Sequence, residues 1–211
     1  CAPDISAVLK WTREFFPQKK ILAKGFSLSA NALLLLLSDQ RYRSLTMPDM
    51  AVAVNAPINL RSCSLKLTQG FNRVYDLYFV RLLRNNILTR SRLGVIKEKY
   101  HIPNFCTLHD FDKYYTAPAA KFKNRDEYYD TCSTHKLLQN ITVPTKMITA
   151  VNDPFVDVQD YYDAKISPAI DLQITSHGGH LGYLQWRKNK LGTRRFVDDI
   201  LNNYMVDATL F

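Results

Sequence analysis

Lys24-Gly25-Phe26-Ser27-Leu28-Ser29-Ala30-Asn31 is the stretch of the sequence that decides the fold. The apolar run Ile21-Leu22-Ala23 before it predicts a short strand, and the run from Leu33 to Leu37 after it predicts a helix that is apolar on nearly every side. A helix of this kind is buried against a sheet. The small residues on either side of Ser27 allow a sharp turn, so the stretch is predicted to be a strand, a turn and a buried helix.

A serine on a strained turn from strand to helix is the pattern of a hydrolytic nucleophile, Gly-x-Ser-x-Gly. Gly25 occupies the first small position, and Ser29, which is also small, replaces the second glycine. Ser27 is therefore the predicted nucleophile. The backbone N–H of Leu28 is the predicted oxyanion donor, aided by the positive end of the helix. The alternative is a serine at an ordinary helix N-terminus.

The chain beyond this stretch alternates strands with helices. Residues 50–54, 143–151 and 172–175 have strand character, and a helix is predicted at 4–16, before the first strand. Strands that alternate with helices predict an α/β fold with a mostly parallel sheet and right-handed crossovers. A terminal helix near 194–204 is predicted to cover that sheet.

Residues 60–140 differ from the rest because they are rich in tyrosine and in basic residues. Within them, helices are predicted near 72–88, 90–99 and 125–139. We predict that 60–140 is a helical cap or lid inserted into an α/β core that consists of 1–59 and 141–211.

Asp153 and His180 follow later strands in the order expected after a nucleophilic serine. Asp153 lies in the loop after a strand, at the carboxyl edge of the predicted sheet, where it would accept the Nδ1 hydrogen of the histidine. His180 follows two glycines, a flexible support that would let the imidazole act first as a base and then as an acid. Asp157 and Asp160 remain alternatives for the acid, and His177 remains an alternative for the base.

The composition indicates one globular chain with a basic surface. Its 211 residues are 46% hydrophobic, and 28 basic against 19 acidic residues give a net charge of +9. The charge is scattered, and its densest part lies on predicted helices of the insertion, which favours a solvated helical surface. We therefore expect no nucleic-acid partner.

Cysteine spacing and hydropathy favour a cytoplasmic location. Cys1, Cys63, Cys106 and Cys132 are widely spaced and form no Cys-x-x-Cys pair, as is typical of reduced thiols. The longest apolar run, 32–37, is far shorter than the ~20 residues that span a bilayer. Association with a membrane surface stays open. The sequence contains no metal-ligand motif and no phosphate-binding glycine loop, so no metal and no cofactor is expected.

The whole chain resembles the carboxyl-terminal two-thirds of the YheT-like, abhydrolase-domain branch of the α/β-hydrolases. The motifs that carry the resemblance are residues 25–31, 55–60, 70–75, 111–112, 128–133, 143–145, 152–155 and 177–183. The resemblance implies an α/β-hydrolase fold and a catalytic triad of Ser27, Asp153 and His180. It also implies hydrolysis of carboxylic esters, with a small-molecule ester or an acyl lipid as the substrate.

The resemblance further implies that the first strands of the fold, with the loop that supplies a second oxyanion donor, precede Cys1. The chain begins with Cys rather than Met and enters a helical pattern at once, which favours the same expectation of a missing N-terminal part. An alternative function also remains open. In that alternative the chain is an inactive, truncated hydrolase remnant that binds a lipid surface or a protein through its basic insertion.

Overall fold

The computed structural model describes residues 1–186 and 193–195, together with Asp198. This part of the chain divides into two compact units. The first unit contains the residues up to Ile58 and those from Ser133 onward, and the second unit is Asn59–Cys132. The second unit begins next to the predicted start of the insertion at 60 and ends before its predicted end at 140. The role of this unit as a cap stays a prediction.

A parallel sheet is the centre of the first unit. Among the described residues it has four strands in the spatial order β1-β2-β3-β4. Their bounds are β1 Leu22–Phe26, β2 Met50–Val54, β3 Thr145–Ala150 and β4 Ile170–Thr175. Two short strands, β5 Leu184–Trp186 and β6 Thr193–Arg195, form a separate antiparallel pair. Because the four strands are parallel, the residues that follow them lie at one edge of the sheet. The predicted parallel sheet is confirmed.

The described residues contain α-helices of very different lengths. They are α1 Ala2–Phe15, α2 Leu28–Ser38, α3 Leu60–Leu67, α4 Arg73–Arg92, α5 Leu108–Phe111, α6 Ala117–Ala119, α7 Arg125–Cys132 and α8 Gln159–Tyr162. A π-helical turn, Asp112–Thr116, joins α5 to α6. Short 3-10 turns lie at Gln40–Tyr42, Gly70–Asn72 and Leu138–Asn140.

The helix α2 is buried on nearly every side, as its leucine run predicts. All five residues from Leu33 to Leu37 are buried, and the helix shares a core with Ala51, Ala53 and Met147 of the sheet. A fully buried leucine side chain contributes roughly 1.5–3 kcal/mol of hydrophobic stabilisation. The position of Ser27, the residue directly before α2, is therefore set by one of the most buried elements of the unit.

A single helix, α4, occupies the region where two helices were predicted. The predicted break between 72–88 and 90–99 is absent, and α4 continues to Arg92. Gly94 has a φ of +70°, a left-handed conformation that ends helices. The prediction of a separate helix at 90–99 was therefore wrong.

The helix predicted near 125–139 is also shorter than expected. It ends at Cys132, because the backbone N–H groups of Thr134 and His135 both donate to the carbonyl oxygen of Ile58 instead of to the preceding turn. Only the 3-10 turn that begins at Leu138 is helical in the remainder of this range.

The prediction of a terminal helix at 194–204 was wrong at its start. Arg194 and Arg195 lie in β6, which pairs with β5. Asp198 has helical backbone conformation, and the other residues of this range lie outside the described residues.

Candidate active site

Ser27 lies at the sharp turn between β1 and α2. Its backbone has a φ of +52° and a ψ of −128°, a sparsely populated conformation. For a residue with a side chain this conformation costs about 1–3 kcal/mol, which the surrounding structure must offset. The backbone N–H of Ser27 donates to the carbonyl oxygen of Val54 at 2.8 Å. This bond attaches the turn to the end of β2.

Two small residues beside Ser27 make the turn feasible. A Cβ atom on Gly25 would lie 2.6 Å from the Cα of Ala30, so only glycine fits there without a backbone shift. The Oγ of Ser29 donates to the carbonyl oxygen of Phe26 at 2.7 Å and accepts from its N–H at 2.9 Å. The serine that replaces the second glycine of the motif therefore binds the last residue of β1.

The imidazole of His180 contacts both other residues of the predicted triad. Its Nε2 lies 2.8 Å from the Oγ of Ser27, and its Nδ1 lies 2.8 Å from the Oδ2 of Asp153. The side chain is 16% exposed, and its ring packs edge-on against Phe155 at 4.7 Å between centroids. The structure thus brings together the three residues that sequence reasoning selected.

The Asp153 carboxylate is fully buried and accepts hydrogen bonds at both oxygens. Its Oδ1 accepts from the backbone N–H groups of Phe155 and Val156, at 2.8 and 3.0 Å. Its Oδ2 accepts from His180 and from the Nδ2 of Asn55. A buried carboxylate is costly unless it is hydrogen-bonded, and four donors meet that requirement here.

The loop before His180 is held by hydrogen bonds. The backbone N–H groups of Gly178 and Gly179 both donate to the Oδ1 of Asn152, each at 2.9 Å. A Cβ on Gly178 would come 2.6 Å from the ring of Tyr183, and Gly179 has a φ of +56°. The two glycines therefore permit a tight, fixed turn. The sequence suggested a flexible support instead. The turn is fixed because the Oδ1 of Asn152 accepts a hydrogen bond from both backbone N–H groups.

The alternatives to His180 and Asp153 have local partners of their own. His177 is exposed, and its Nδ1 lies 2.9 Å from the Oγ of Ser176. The Oδ1 of Asp157 accepts from the backbone N–H of Gln159 at the start of α8, at 3.0 Å. Asp153 is the carboxylate that contacts the histidine bonded to Ser27.

Sequence reasoning did not identify three further polar residues of the site. Asn152 binds the glycine turn, and Asn55 and Tyr183 are bonded to each other beside Asp153. Asn55 directly follows β2, and Asn152 lies two residues after β3. Polar residues at the carboxyl ends of parallel strands are a signal for a site, and this signal could have found both asparagines.

The backbone N–H of Leu28 has the setting of an oxyanion donor. It belongs to the first residue of α2, where helical N–H groups have no partner within the helix. The described residues supply no acceptor for it, whereas the N–H groups of Ala30 and Asn31 donate to the carbonyl oxygen of Ser27. A carbonyl oxygen bound near Ser27 could therefore accept from Leu28.

The described residues hold neither a metal-binding cluster nor a helix able to cross a membrane. No cluster of three or more His, Cys, Asp or Glu side chains that could hold a metal ion occurs in them. Within the same residues, every helix is too short or too polar to cross a membrane.

Comparison with solved structures identifies the class of fold. The chain matches MGS-MChE2, an α/β hydrolase enzyme from the metagenome of lagoon sediments in Morocco. The TM-score is 0.50 at 14% identity, over 99% of this chain and 71% of that chain. The chain therefore has the α/β-hydrolase fold, as the motifs implied. No protein-family model matches it.

Comparison with known sequences shows which proteins the chain is similar to. The chain is 32% identical to YheT of Escherichia coli (strain K12) over 186 residues, which are 86% of this chain and 54% of YheT. It is 29% identical to the monoacylglycerol lipase of Saccharomyces cerevisiae over 206 residues, 93% of this chain and 45% of that protein. The chain is thus a relative of the YheT-like, abhydrolase-domain proteins, and the predicted resemblance is confirmed. It spans about half the length of these relatives.

Proposed function

We propose that the protein hydrolyses carboxylic esters, acyl lipids among them, with Ser27 as the nucleophile. His180 acts as the general base and then as the general acid, and Asp153 orients it. One observation carries this proposal: two hydrogen bonds of 2.8 Å run in series from Asp153 through His180 to the Oγ of Ser27. The relative in yeast is named a monoacylglycerol lipase, which supports an acyl-lipid substrate.

The proposed reaction has two steps. The Oγ of Ser27 attacks the ester carbonyl carbon while the Nε2 of His180 takes its proton, and the resulting oxyanion accepts a hydrogen bond from the N–H of Leu28. His180 then gives that proton to the leaving alcohol, and the acyl group stays on Ser27. In the second step His180 removes a proton from water, which attacks the acyl carbon. The acid leaves, and His180 returns that proton to the Oγ of Ser27.

Labelling with a fluorophosphonate tests this proposal directly. The full-length protein is treated with the probe, and hydrolysis of a p-nitrophenyl ester is measured in parallel. Labelling at Ser27 and its loss in Ser27→Ala are the expected results. Ser29→Ala is the matched control, because it removes a hydroxyl two residues away and should remain labelled. A folded wild-type protein that is neither labelled nor active contradicts the proposal.

A second candidate function is contact with an anionic lipid surface through α4. Apolar side chains of α4 are largely exposed; they include Val74, Leu77, Tyr78, Leu82 and Leu88. Exposed apolar side chains that cluster on one face mark interaction sites. The helix also carries five arginines and a single acidic residue, Asp76, which is buried. Apolar residues interspersed with arginine are typical of helices that lie in an anionic membrane interface.

Sedimentation with vesicles tests this second candidate. We expect binding to phosphatidylcholine vesicles that contain phosphatidylglycerol, weakened by salt, and little binding to phosphatidylcholine alone. The double variant Leu77→Ser/Leu82→Ser should lose binding, and Val8→Ser/Trp11→Ser, which alters exposed apolar residues of α1, should retain it. Binding that is equal in all proteins, or absent in the wild type, contradicts the candidate. If the α4 variant instead disperses a dimer, the occupant of α4 is a second copy of the chain.

A further inference from the structure

Asn55 is completely buried at the end of β2 and has an uncommon backbone conformation. Its φ is +48°, in the left-handed region that asparagine adopts more readily than most residues. Its backbone N–H donates to the carbonyl oxygen of Ile148 at 2.8 Å, so the main chain is attached to β3. The sheet therefore holds the backbone of Asn55 in place independently of the side chain.

Both N–H groups and the carbonyl oxygen of the Asn55 amide bind residues of the candidate site. The Nδ2 donates to the Oδ2 of Asp153 and to the carbonyl oxygen of Gly179, the latter at 3.1 Å, and the Oδ1 accepts from the hydroxyl of Tyr183. A carboxylate and a carbonyl can only accept, so these partners determine the orientation of the amide. Burial, together with the Asp153 carboxylate, raises the pKa of Tyr183, so its hydroxyl keeps its proton and donates.

We infer that Asn55 is a positioning residue for the proposed hydrolysis, an inference that rests on the proposed function. Its Nδ2 and the Nδ1 of His180 donate to the same oxygen of Asp153, so the amide helps to determine where that oxygen lies. The bond to Gly179 determines the position of the residue directly before His180. One side chain thus positions both ends of the hydrogen bond between Asp153 and His180.

The variant Asn55→Asp separates positioning from a purely structural role. Aspartate has the same shape as asparagine and tolerates the left-handed backbone. It keeps the oxygen that accepts from Tyr183, but an oxygen replaces the NH2 group that donates to Asp153 and Gly179. Two adjacent carboxyl groups share one proton, so the new carboxyl can donate to Asp153 at low pH and repels it at high pH. We expect kcat relative to wild type to fall with rising pH, from about tenfold lower near pH 6 to about 10²-fold lower near pH 8.

Two further variants complete the experiment. Tyr183→Phe removes the donor to the Asn55 amide while the ring stays against Gly178, and we expect kcat to fall about fivefold with KM within about twofold of wild type. Asn140→Asp is the matched control. Its half-buried amide donates to the carbonyl oxygen of Ser38, at 3.4 Å, and the variant should keep wild-type kinetics.

The outcomes distinguish this inference from the proposed function. A folded wild type that is not labelled at Ser27 contradicts the proposed function. With an active wild type, a constant ratio of kcat across the pH range for Asn55→Asp overturns the positioning role. If circular dichroism shows that Asn55→Asp does not fold, Tyr183→Phe decides, and a wild-type kcat in that variant overturns the inference.

Discussion

Gly25 lies against the first turn of α2 so closely that a Cβ atom on it would come 2.6 Å from the Cα of Ala30. The atom it would meet belongs to the backbone of a buried helix, which cannot rotate away as a side chain can. The contact therefore links the end of β1 to the orientation of α2. Because Ser27 lies between these two elements, the contact also affects the placement of Ser27.

The first prediction concerns this contact. Gly25→Ala forces β1 and α2 apart, so we expect an overpacking cost of about 1–3 kcal/mol. Since a displacement of about 1 Å can lower a rate about 10²-fold, we expect a loss of that size in ester hydrolysis. Urea unfolding and kcat/KM measure the two effects. Gly70→Ala is the control, because its Cβ meets no atom within 4 Å. Gly70→Ala should lose stability, because alanine is strained at the positive φ of this position, but it should keep wild-type kcat/KM. Similar kcat/KM values in the two variants contradict the prediction.

The second prediction concerns Ser29, which stands where the motif usually has glycine. Its hydroxyl makes two hydrogen bonds to the backbone of Phe26, so Ser29→Ala is expected to destabilise the protein by about 0.5–1.5 kcal/mol. Ser29→Gly, which restores the usual motif, should lose about another 0.5–1 kcal/mol because glycine is flexible within a helix. Urea unfolding of the three proteins measures the order. Unchanged or increased stability of Ser29→Gly contradicts it.

The third prediction concerns Asp153. In Asp153→Asn an NH2 group replaces the oxygen that accepts from His180 and Asn55. His180 then loses the acceptor that keeps the hydrogen on its Nδ1. We expect kcat to fall about 10⁴-fold while the ester still binds. Asp157→Asn, the same change at the neighbouring alternative acid, should keep wild-type kcat. The kcat of both variants is measured in p-nitrophenyl ester hydrolysis. A large loss in Asp157→Asn with wild-type kcat in Asp153→Asn would assign the catalytic carboxylate to Asp157.

The fourth prediction concerns the pH dependence of stability in the second unit. Burial raises the pKa of Asp112, and the hydrogen bonds from Tyr129 and Thr116 do not offset this effect. The folded protein thus binds the proton at Asp112 more tightly than the unfolded chain. The resulting stabilisation is fully present below the unfolded pKa and is lost as pH rises through the folded pKa. Asp112→Asn stays neutral, so its Tm relative to wild type should increase from about pH 4 to about pH 7, by about 2–4 °C.

Asp110 provides the control with the opposite sign. Burial acts to raise the pKa of Asp110, but hydrogen bonds from the hydroxyl and N–H of Thr107 outweigh it, and the pKa lies below its ordinary value. Stability from Asp110 is present above its unfolded pKa and is lost as pH falls through the folded pKa. Asp110→Asn should therefore lose Tm relative to wild type as pH rises from about 2 to about 4, and it should change little from about pH 4 to about pH 7. A common trend in both variants would contradict the assignment.

Local sequence patterns predicted the elements on either side of Ser27, the candidate nucleophile. The leucine run of α2 and the apolar run of β2 are each continuous over one element, so short-range hydropathy is sufficient to find them. The candidate triad followed from the order of residues after successive strands, and the resemblance favoured His180 over His177. Helix ends in the second unit were less predictable. The stop at Gly94 depends on a positive φ, and the stop at Cys132 depends on a carbonyl that is distant in the sequence.

The role of Asn55 could not be predicted from local pattern because its partners are distant in the chain. Asp153 lies 98 residues after it, and Gly179 lies 124 residues after it. The apolar pattern of α1 was also incomplete as a guide to burial. Leu9 packs in a core with Ile21 and Leu36, but Trp11 is 56% exposed.

The pair of N–H groups that donate to Asn152 makes the loop before His180 open as one unit. Gly178 and Gly179 share a single acceptor oxygen, so one rotation of the Asn152 side chain releases both amides to solvent at once. Their hydrogen–deuterium exchange is therefore expected to follow a common rate. That rate measures how often Asn152 releases the turn directly before His180.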